Sequence, residues 1–390
     1  MKIVFVDVEL DKMGGVGRAV STLVNSLIQE YDVEIYSVYR YFQEPFYSYR
    51  PSVKFHYLID LSHSLSTHSK TKIGFFFFRV FEKLFESFSF SKKVKMCCEN
   101  ELEKADVIVF CRTVTAAIFL PYLEEFQGKI IVRDANHLHM ISARDRKRML
   151  RYYPALVNTF IVSSDESLRL YREFFGERSV NIRKIYNPLG IKPLRHDSME
   201  NRRIIGVGRY CRENAFENLL TAFAQIYPGH MDWKLALIGG GEDLFHYKRI
   251  CRKLGILQAV EFYKSTDIAE EYRRADIYVS TSRMEGYANA VVEALACGVP
   301  VISYNWYLGV EDIIEDGVNG IVVRLKNREK HFRTNSSGRD DVLNLAKAIR
   351  RLIEDRDFRM KLSQNAVKIA DSRECSKIVN EWTEIMEGTG

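Results

Sequence analysis

The feature that most constrains this chain is an alternation. Short runs of β-branched and aromatic residues recur along the 390-residue sequence, each followed by a longer stretch of helical pattern. In the first half the runs are KIVFVDV (2–8), VEIYSVY (33–39), VKFHYLI (53–59), DVIVFC (106–111), KIIVRDA (129–135) and TFIVSS (159–164). In the second half they are RIIGVG (203–208), KLALIGG (234–240), VEFYK (260–264), DIYVST (276–281), PVISYN (300–305) and GIVVRL (320–325). Their hydrophobicity is nearly continuous, as expected of strands covered on both faces. Strands separated by helix-length segments make βαβ units and parallel sheets. A prior of about 150 residues per domain sets two or three domains. The stretch YNPLGIKPLRHDSMENRR (186–203), with two prolines, a glycine and many charges, is the natural linker. The expectation is an α/β protein of two doubly wound, Rossmann-like domains facing a cleft, over residues 1–188 and 201–370. The region 341–387 reads as helical, with Leu343, Ala346, Ile349, Leu352 and Ile353 at helix spacing.

Composition narrows the classes. The hydrophobic share of 46% and charged share of 28% are those of a globular protein. A formal charge of +6 suits a polyanionic ligand or an anionic membrane surface, and no nucleic-acid partner is expected. Seven cysteines include no Cys-x-x-Cys pair, which argues against a disulfide framework or a cysteine zinc site and for a reducing, cytoplasmic setting. The N-terminal strand meets acids within nine residues, so no signal peptide is expected, and no uncharged apolar run is long enough to span a bilayer. One segment departs from the rest. Residues 69–95 carry seven phenylalanines between 75 and 88, and seven Lys/Arg against two acids. A basic amphipathic helix of this kind reads either as a membrane-interface element, at the inner face of the cell membrane, or as a core-facing helix with solvated lysines.

Four motifs carry chemistry. The first is DKMGGVGRAVSTLV (11–24), where Gly14, Gly15, Val16 and Gly17 follow strand one and open a helix. Glycines there let a ligand approach the backbone and the helix N-terminus, although any tight strand-to-helix turn can use them. Val20 stands where the third glycine of a dinucleotide fingerprint would fall, and no Walker lysine follows. The second motif is GVGRYCRENAF (206–216), which places Arg209 at a strand's C-terminal edge, where ligands of open α/β sheets bind and a guanidinium suits phosphate. The third is LIGGGED (237–243), a glycine turn around Gly240. The fourth is STSRMEGYANAVVEALACGVP (280–300). There Glu285 lies in an edge loop, Gly286, Tyr287, Ala288 and Asn289 lead into a helix, and Glu293 falls about one turn inside it. Acids beside a diphosphate repel it, so they suit sugar and ribose hydroxyls while amides and Arg209 take the anion. The rival reading of Glu293 is a surface or capping residue.

Together, the Glu-x7-Glu of EGYANAVVE, the VGR opening the second domain, LIGGGE and GVEDIIEDGVNGIVV (309–323) resemble the family-4 retaining glycosyltransferases of GT-B fold, of the bacterial polysaccharide or lipid-linked glycan type. The resemblance implies that Gly15 and its neighbours border the donor phosphates, that Arg209 binds the diphosphate and Glu285 the transferred sugar, that the backbone of 287–289 holds phosphates and that Glu293 holds the ribose. It also implies a final helix, about 371–390, returning to the first domain. Family members carry a lysine five residues after the arginine. Here that position is Asn214, and Arg212 is the candidate replacement. In VRDANHLHM (132–140) a family-like histidine is best matched by His137, with Asp134 as its partner or an acceptor contact; a polar surface loop is the alternative. No metal is expected, since the only Asp-x-Asp, at 355–357, sits in a charged helical stretch. The implied reaction moves a hexose or N-acetylhexosamine from a nucleoside diphosphate sugar, UDP favoured, to a glycan or lipid-linked acceptor, with no other cofactor. A weak GT-B subunit supporting a partner transferase and a sugar-nucleotide epimerase remain alternatives.

Overall fold

The computed structural model describes residues 1–62, 90–134, 138, 141–195, 198–283, 286–305, 309–326 and 338–388. Among them the chain builds two all-parallel sheets. The first holds β1 (Lys2–Asp7), β2 (Asp32–Arg40), β3 (Lys54–Asp60), β4 (Val107–Phe110), β5 (Lys129–Arg133), β6 (Thr159–Val162) and β7 (Ile182–Lys184), in the order 3-2-1-4-5-6-7. The second holds β8 (Arg203–Val207), β9 (Lys234–Ile238), β10 (Val260–Tyr263), β11 (Ile277–Ser280), β12 (Val301–Tyr304) and β13 (Gly320–Val323), in the order 10-9-8-11-12-13. Both orders reverse beside the first strand, at β1/β4 and at β8/β11, which is where doubly wound sheets open a crevice.

The central strands are apolar because each feeds two cores. Along β1, Val4 and Val6 join one cluster while Ile3 and Phe5 join the other. Along β11, Ile277 and Val279 face one helical layer and Tyr278 the opposite one. β7 escaped the sequence reading. Its three residues, Ile-Arg-Lys, form an edge strand whose charged side chains hide the pattern.

The chain divides into two compact units. The first comprises Met1–Ser163, Ser167–Tyr186 and Ile378–Gly390, and the second Ser164–Glu166 and Asn187–Lys377. The division falls at Tyr186/Asn187, ahead of most of the proline-bearing stretch, because Leu189 and Ile191 pack against a core of the second unit. The last helix, Cys375–Glu387, contributes Ile378, Trp382, Ile385 and Met386 to the core around Ile3 and Phe5. Lys129 Nζ donates to the Met386 carbonyl at 2.9 Å, fixing the helix end.

The helical C-terminal region is broken rather than continuous. Arg339–Glu354 ends at Asp355, whose Oδ1 accepts from Phe358 N at 2.9 Å and starts Arg356–Ala366. The Asp-x-Asp at 355–357 thus includes a helix cap. The buried stripe of Arg339–Glu354 runs through Val342, Leu345, Ala346, Ile349, Leu352 and Ile353, whereas Leu343 is exposed, one position off the face expected for it. All seven cysteines are free thiols, and five are buried. Among the described residues no helix is long and apolar enough to cross a membrane. The phenylalanine-rich stretch 69–95 lies outside the described residues up to 89; residues 90–100 are helical, with Phe90 and Val94 packed into the first unit.

Candidate functional site

In the second unit three loops leave the C-terminal ends of β8, β9 and β11, and the β8 loop is bonded to both of the others. The β8 loop lies backbone to backbone on the glycine turn after β9. Gly208 N donates to Ile238 O at 3.0 Å, Tyr210 N to Gly240 O at 2.8 Å, and Asp243 N back to Tyr210 O at 3.1 Å. Side chains have no room in this contact. A Cβ on Gly239 would stand 1.9 Å from the Gly208 carbonyl oxygen, and one on Gly241 would stand 2.3 Å from that of Tyr210. The triple glycine is therefore the condition for bringing Arg209 to the sheet edge. Arg209 is exposed, and among the described residues no hydrogen bond or ion pair occupies its side chain. Gly240 carries the Lys264 side chain alongside it, with Cε 2.6 Å from where a Cβ would be.

The β8 loop is also stitched to the segment after β11. Thr281 Oγ1 donates to Asn214 O at 2.8 Å, Ser282 Oγ to Asn214 Oδ1 at 3.3 Å, and Arg283 N to Glu213 O at 2.9 Å. Asn214 Nδ2 closes the ring on Arg209 O at 2.7 Å. Asn214 thus spends both ends of its amide on the protein, as a brace under Arg209, which a lysine at this position does not reproduce. Arg212 is exposed on the same turn. Ala215 follows with φ of +47°, a left-handed conformation costly for a residue with a Cβ, and is fully buried. Arg283, nearly buried, pairs with Glu217 Oε1 at 2.5 Å and anchors the loop that leads to Glu285. Glu213 is held below the ordinary glutamate value, chiefly by a hydrogen bond from the Cys211 thiol.

Past that loop, the helix Asn289–Ala296 starts at Ala288, where no side chain caps the first turn. At its N-terminus Asn289 N donates to Tyr287 O and Val291 N to Ala288 O, each at 3.0 Å, while the positive end of the helix dipole favours an anion. Gly286 and Tyr287 are half-buried, and Ala288 packs into the core. Glu293 lies inside this helix, 3% exposed, and its Oε2 accepts from the Tyr272 hydroxyl at 3.2 Å. A carboxylate this deep in an apolar helix is not a surface or capping residue. Glu285 and His137, expected from the sequence to touch the sugar, lie outside the described residues.

In the first unit, Gly14 precedes the helix Gly15–Leu27 and offers no side-chain cap. Gly14 N donates to Tyr47 Oη at 3.2 Å, and the Tyr47 ring lies 3.2 Å from where a Gly17 Cβ would be. Gly14 itself faces open space, with nothing within 4 Å of its missing Cβ, while Val16 packs on the core. At the end of β1, Asp7 is fully buried. Burial pushes its carboxyl up, against Arg112 Nε at 3.3 Å and the Thr115 hydroxyl at 2.7 Å. Asp134, beyond β5, is 6% exposed and accepts from the buried Tyr171 hydroxyl at 3.0 Å. The sequence reading missed Tyr47, Tyr272, Arg283 and Lys264. The first three act through burial and partner geometry that no local pattern marks, whereas Lys264, a cation directly after a strand, was open to the same argument as Arg209.

Two doubly wound sheets with glycine turns at strand ends define a class: proteins of two Rossmann-like units. Residues 194–334 match the family described as glycosyl transferases group 1. The chain is 24% identical to an uncharacterized glycosyltransferase of Haemophilus influenzae, with 99% of each protein aligned. It is also 24% identical over 99% of its length to an exopolysaccharide phosphotransferase of Streptomyces coelicolor, of which it spans only 40%. Its fold superposes on Anabaena HepE solved in complex with UDP, with a TM-score of 0.72 at 15% identity and 100% coverage of both chains. Residues 194–334 are thus similar to the group 1 (family 4) glycosyltransferases, and the fold of the chain is GT-B.

Proposed function

We propose that this glycosyltransferase moves a hexose or N-acetylhexosamine, with retention of configuration, from a UDP-sugar to a hydroxyl of a glycan or lipid-linked acceptor. In this reading the second unit takes the donor and the first unit the acceptor. The observation that carries it is the braced β8 loop. Asn214 and the glycine turn fix the backbone of Arg209 while its guanidinium stays exposed, at the edge of the sheet that also carries the uncapped helix start at Ala288 and buried Glu293.

The chemistry follows from charge. As the bond from the anomeric carbon to the diphosphate oxygen breaks, negative charge grows on the leaving group, and Arg209 with the helix amides stabilises it. The acceptor oxygen bonds to the anomeric carbon on the same face, and its proton passes to the departing phosphate. Glu293, set back from the diphosphate in the helix, takes ribose hydroxyls, and Glu285 takes the sugar. Gly14 to Gly17 border the phosphates, with Gly14 leaving room for them. His137 and Asp134 serve the acceptor side. The HepE likeness supports UDP, and the polysaccharide relatives support a glycan acceptor, at the cytoplasmic face of the membrane where lipid-linked acceptors are assembled.

A thermal-shift panel with UDP, GDP, ADP, CDP and NAD tests the donor assignment without knowledge of the acceptor. UDP at about 100 times its dissociation constant adds roughly 2.7 kcal/mol to the unit that binds it. The reading expects stabilisation by UDP that Glu293→Ala abolishes; stabilisation by NAD alone contradicts it. One observation favours a second reading. Because Asn214 is consumed as a brace, the usual second cation is missing, which suits a weak transferase that supports a partner. Full biological function in an Arg209→Ala/Glu285→Ala variant supports that reading over the first.

A further inference from the structure

Two places where the main chain passes between the compact units, at Tyr186–Asn187 and at Lys377–Ile378, lie close in sequence to residues that grip the segment around Tyr287. Arg373, 3% exposed, donates from Nε to the Tyr287 hydroxyl at 2.8 Å and from Nη2 to the Asp312 carbonyl at 3.3 Å. Its own carbonyl accepts from Leu189 N at 3.0 Å, which ties it to the first passage. From that passage Asn187, 5% exposed, donates from Nδ2 to Asn289 Oδ1 at 2.9 Å. The segment 287–289, short and beginning directly after an edge loop, is thereby held at both ends by residues that flank it neither in sequence nor in the sheet.

We propose that Arg373, seconded by Asn187, is a positioning residue that presets the Tyr287–Asn289 backbone for the donor's diphosphate. This inference rests on the donor-site reading above and adds to it the groups that hold the phosphate-facing amides in place. The physical case is one of preorganisation. Amides stabilise an anion only if their direction is fixed beforehand, since a loop that must order on binding loses that entropy from its affinity. A buried guanidinium with several donors in a rigid fork can fix an aromatic hydroxyl and two backbone carbonyl-bearing segments at once, which no single lysine or amide can do. Tyr287 is the handle: its hydroxyl accepts directly from Arg373 Nε.

The test is calorimetric titration of UDP and of UMP into the full-length wild type and the Tyr287→Phe, Arg373→Met, Arg373→Lys and Tyr287→Phe/Arg373→Met variants. Tyr287→Phe removes one hydroxyl and keeps every amide, so it remains informative if Arg373→Met fails to fold. The expected result is about a ten-fold loss of UDP affinity in Tyr287→Phe, a smaller loss for UMP, and partial recovery in Arg373→Lys relative to Arg373→Met. The double variant is expected to be no worse than the worse single one, because both act through one contact. UDP binding that is unchanged in Tyr287→Phe, or equal losses for UDP and UMP, overturns the positioning role while leaving the donor site standing. A wild type that binds no UDP overturns the donor-site reading and this inference with it.

Discussion

The glycine turns of the two units look alike in sequence and differ in physics. After β1, Gly14 faces open space among the described residues and Gly17 receives the Tyr47 ring, so room there is left for side chains. After β9, Gly239 and Gly241 lie against carbonyl oxygens of the β8 loop, so these glycines clear room for backbone. Gly239 also adopts a φ of +149°, which side chains rarely tolerate. A glycine run at a strand end therefore has two meanings, one in which it leaves room for side chains and one in which it leaves room for backbone. Only the neighbours across the contact tell them apart.

The comparison breaks most visibly at Gly239. Gly239→Ala forces apart two loops and is expected to destabilise by about 3 kcal/mol, a fall in Tm of roughly 6–12 °C; a Tm unchanged in thermal unfolding contradicts the backbone role. Next comes Glu293→Gln, which keeps an acceptor for Tyr272 but removes the charge. UDP affinity is expected to fall roughly 10- to 100-fold, the scale of hydrogen bonds to a charged group, as read by titration calorimetry. Gly14→Ala is the counterpart of the Gly239 change. It should leave Tm within about 1 °C while slowing sugar transfer on the order of 10-fold, because displaced reactants lose rate steeply. A large loss of Tm there makes the two turns equivalent.

Asn214→Ala sharpens the second half of the comparison. It removes the bonds to Arg209 O and from Ser282 Oγ, at about 1 kcal/mol each, so denaturant unfolding should show a loss near 2 kcal/mol. The smallest effect concerns pH. Burial raises the Glu271 carboxyl, but the Tyr263 hydroxyl and Arg203, whose Nη2 lies 2.7 Å from Oε2, outweigh it and hold the group below its ordinary 4.5. A depressed carboxyl contributes stability that is complete above the unfolded value and lost as pH falls through the folded one. Wild type and Glu271→Gln should therefore differ in Tm at neutral pH and converge below about pH 4.5.

Most of the architecture was legible because period and composition act locally. Twelve strands could be read from runs such as VIVF and KLALI, while β7, three residues with two charges, carried no such signal. The buried face of the helix Arg339–Glu354 was read correctly at Ala346, Ile349, Leu352 and Ile353, whereas Leu343 satisfies the apolar spacing and yet faces solvent while Val342 is buried. At the candidate site, the places of Arg209 at a strand end, of the glycines in the turns and of Glu293 inside a helix were legible from type and spacing. Their supports were not. Asn214 reads as a missing lysine and acts as a brace, Tyr47 reads as one aromatic among many and closes on Gly14 and Gly17, and Arg373 reads as surface charge and is buried against Tyr287. These roles depend on pairs far apart in the chain, which a local pattern cannot encode.

The central claim is that the loops after β8, β9 and β11 form one donor site. Hydrogen–deuterium exchange of the wild-type protein with and without saturating UDP tests it directly. The account predicts protection of peptides covering 208–214, 239–243 and 286–293 together, because the diphosphate engages the first and the last, and the glycine turn is hydrogen-bonded to the first. Protection confined to one of them, or absent from the second unit altogether, contradicts it.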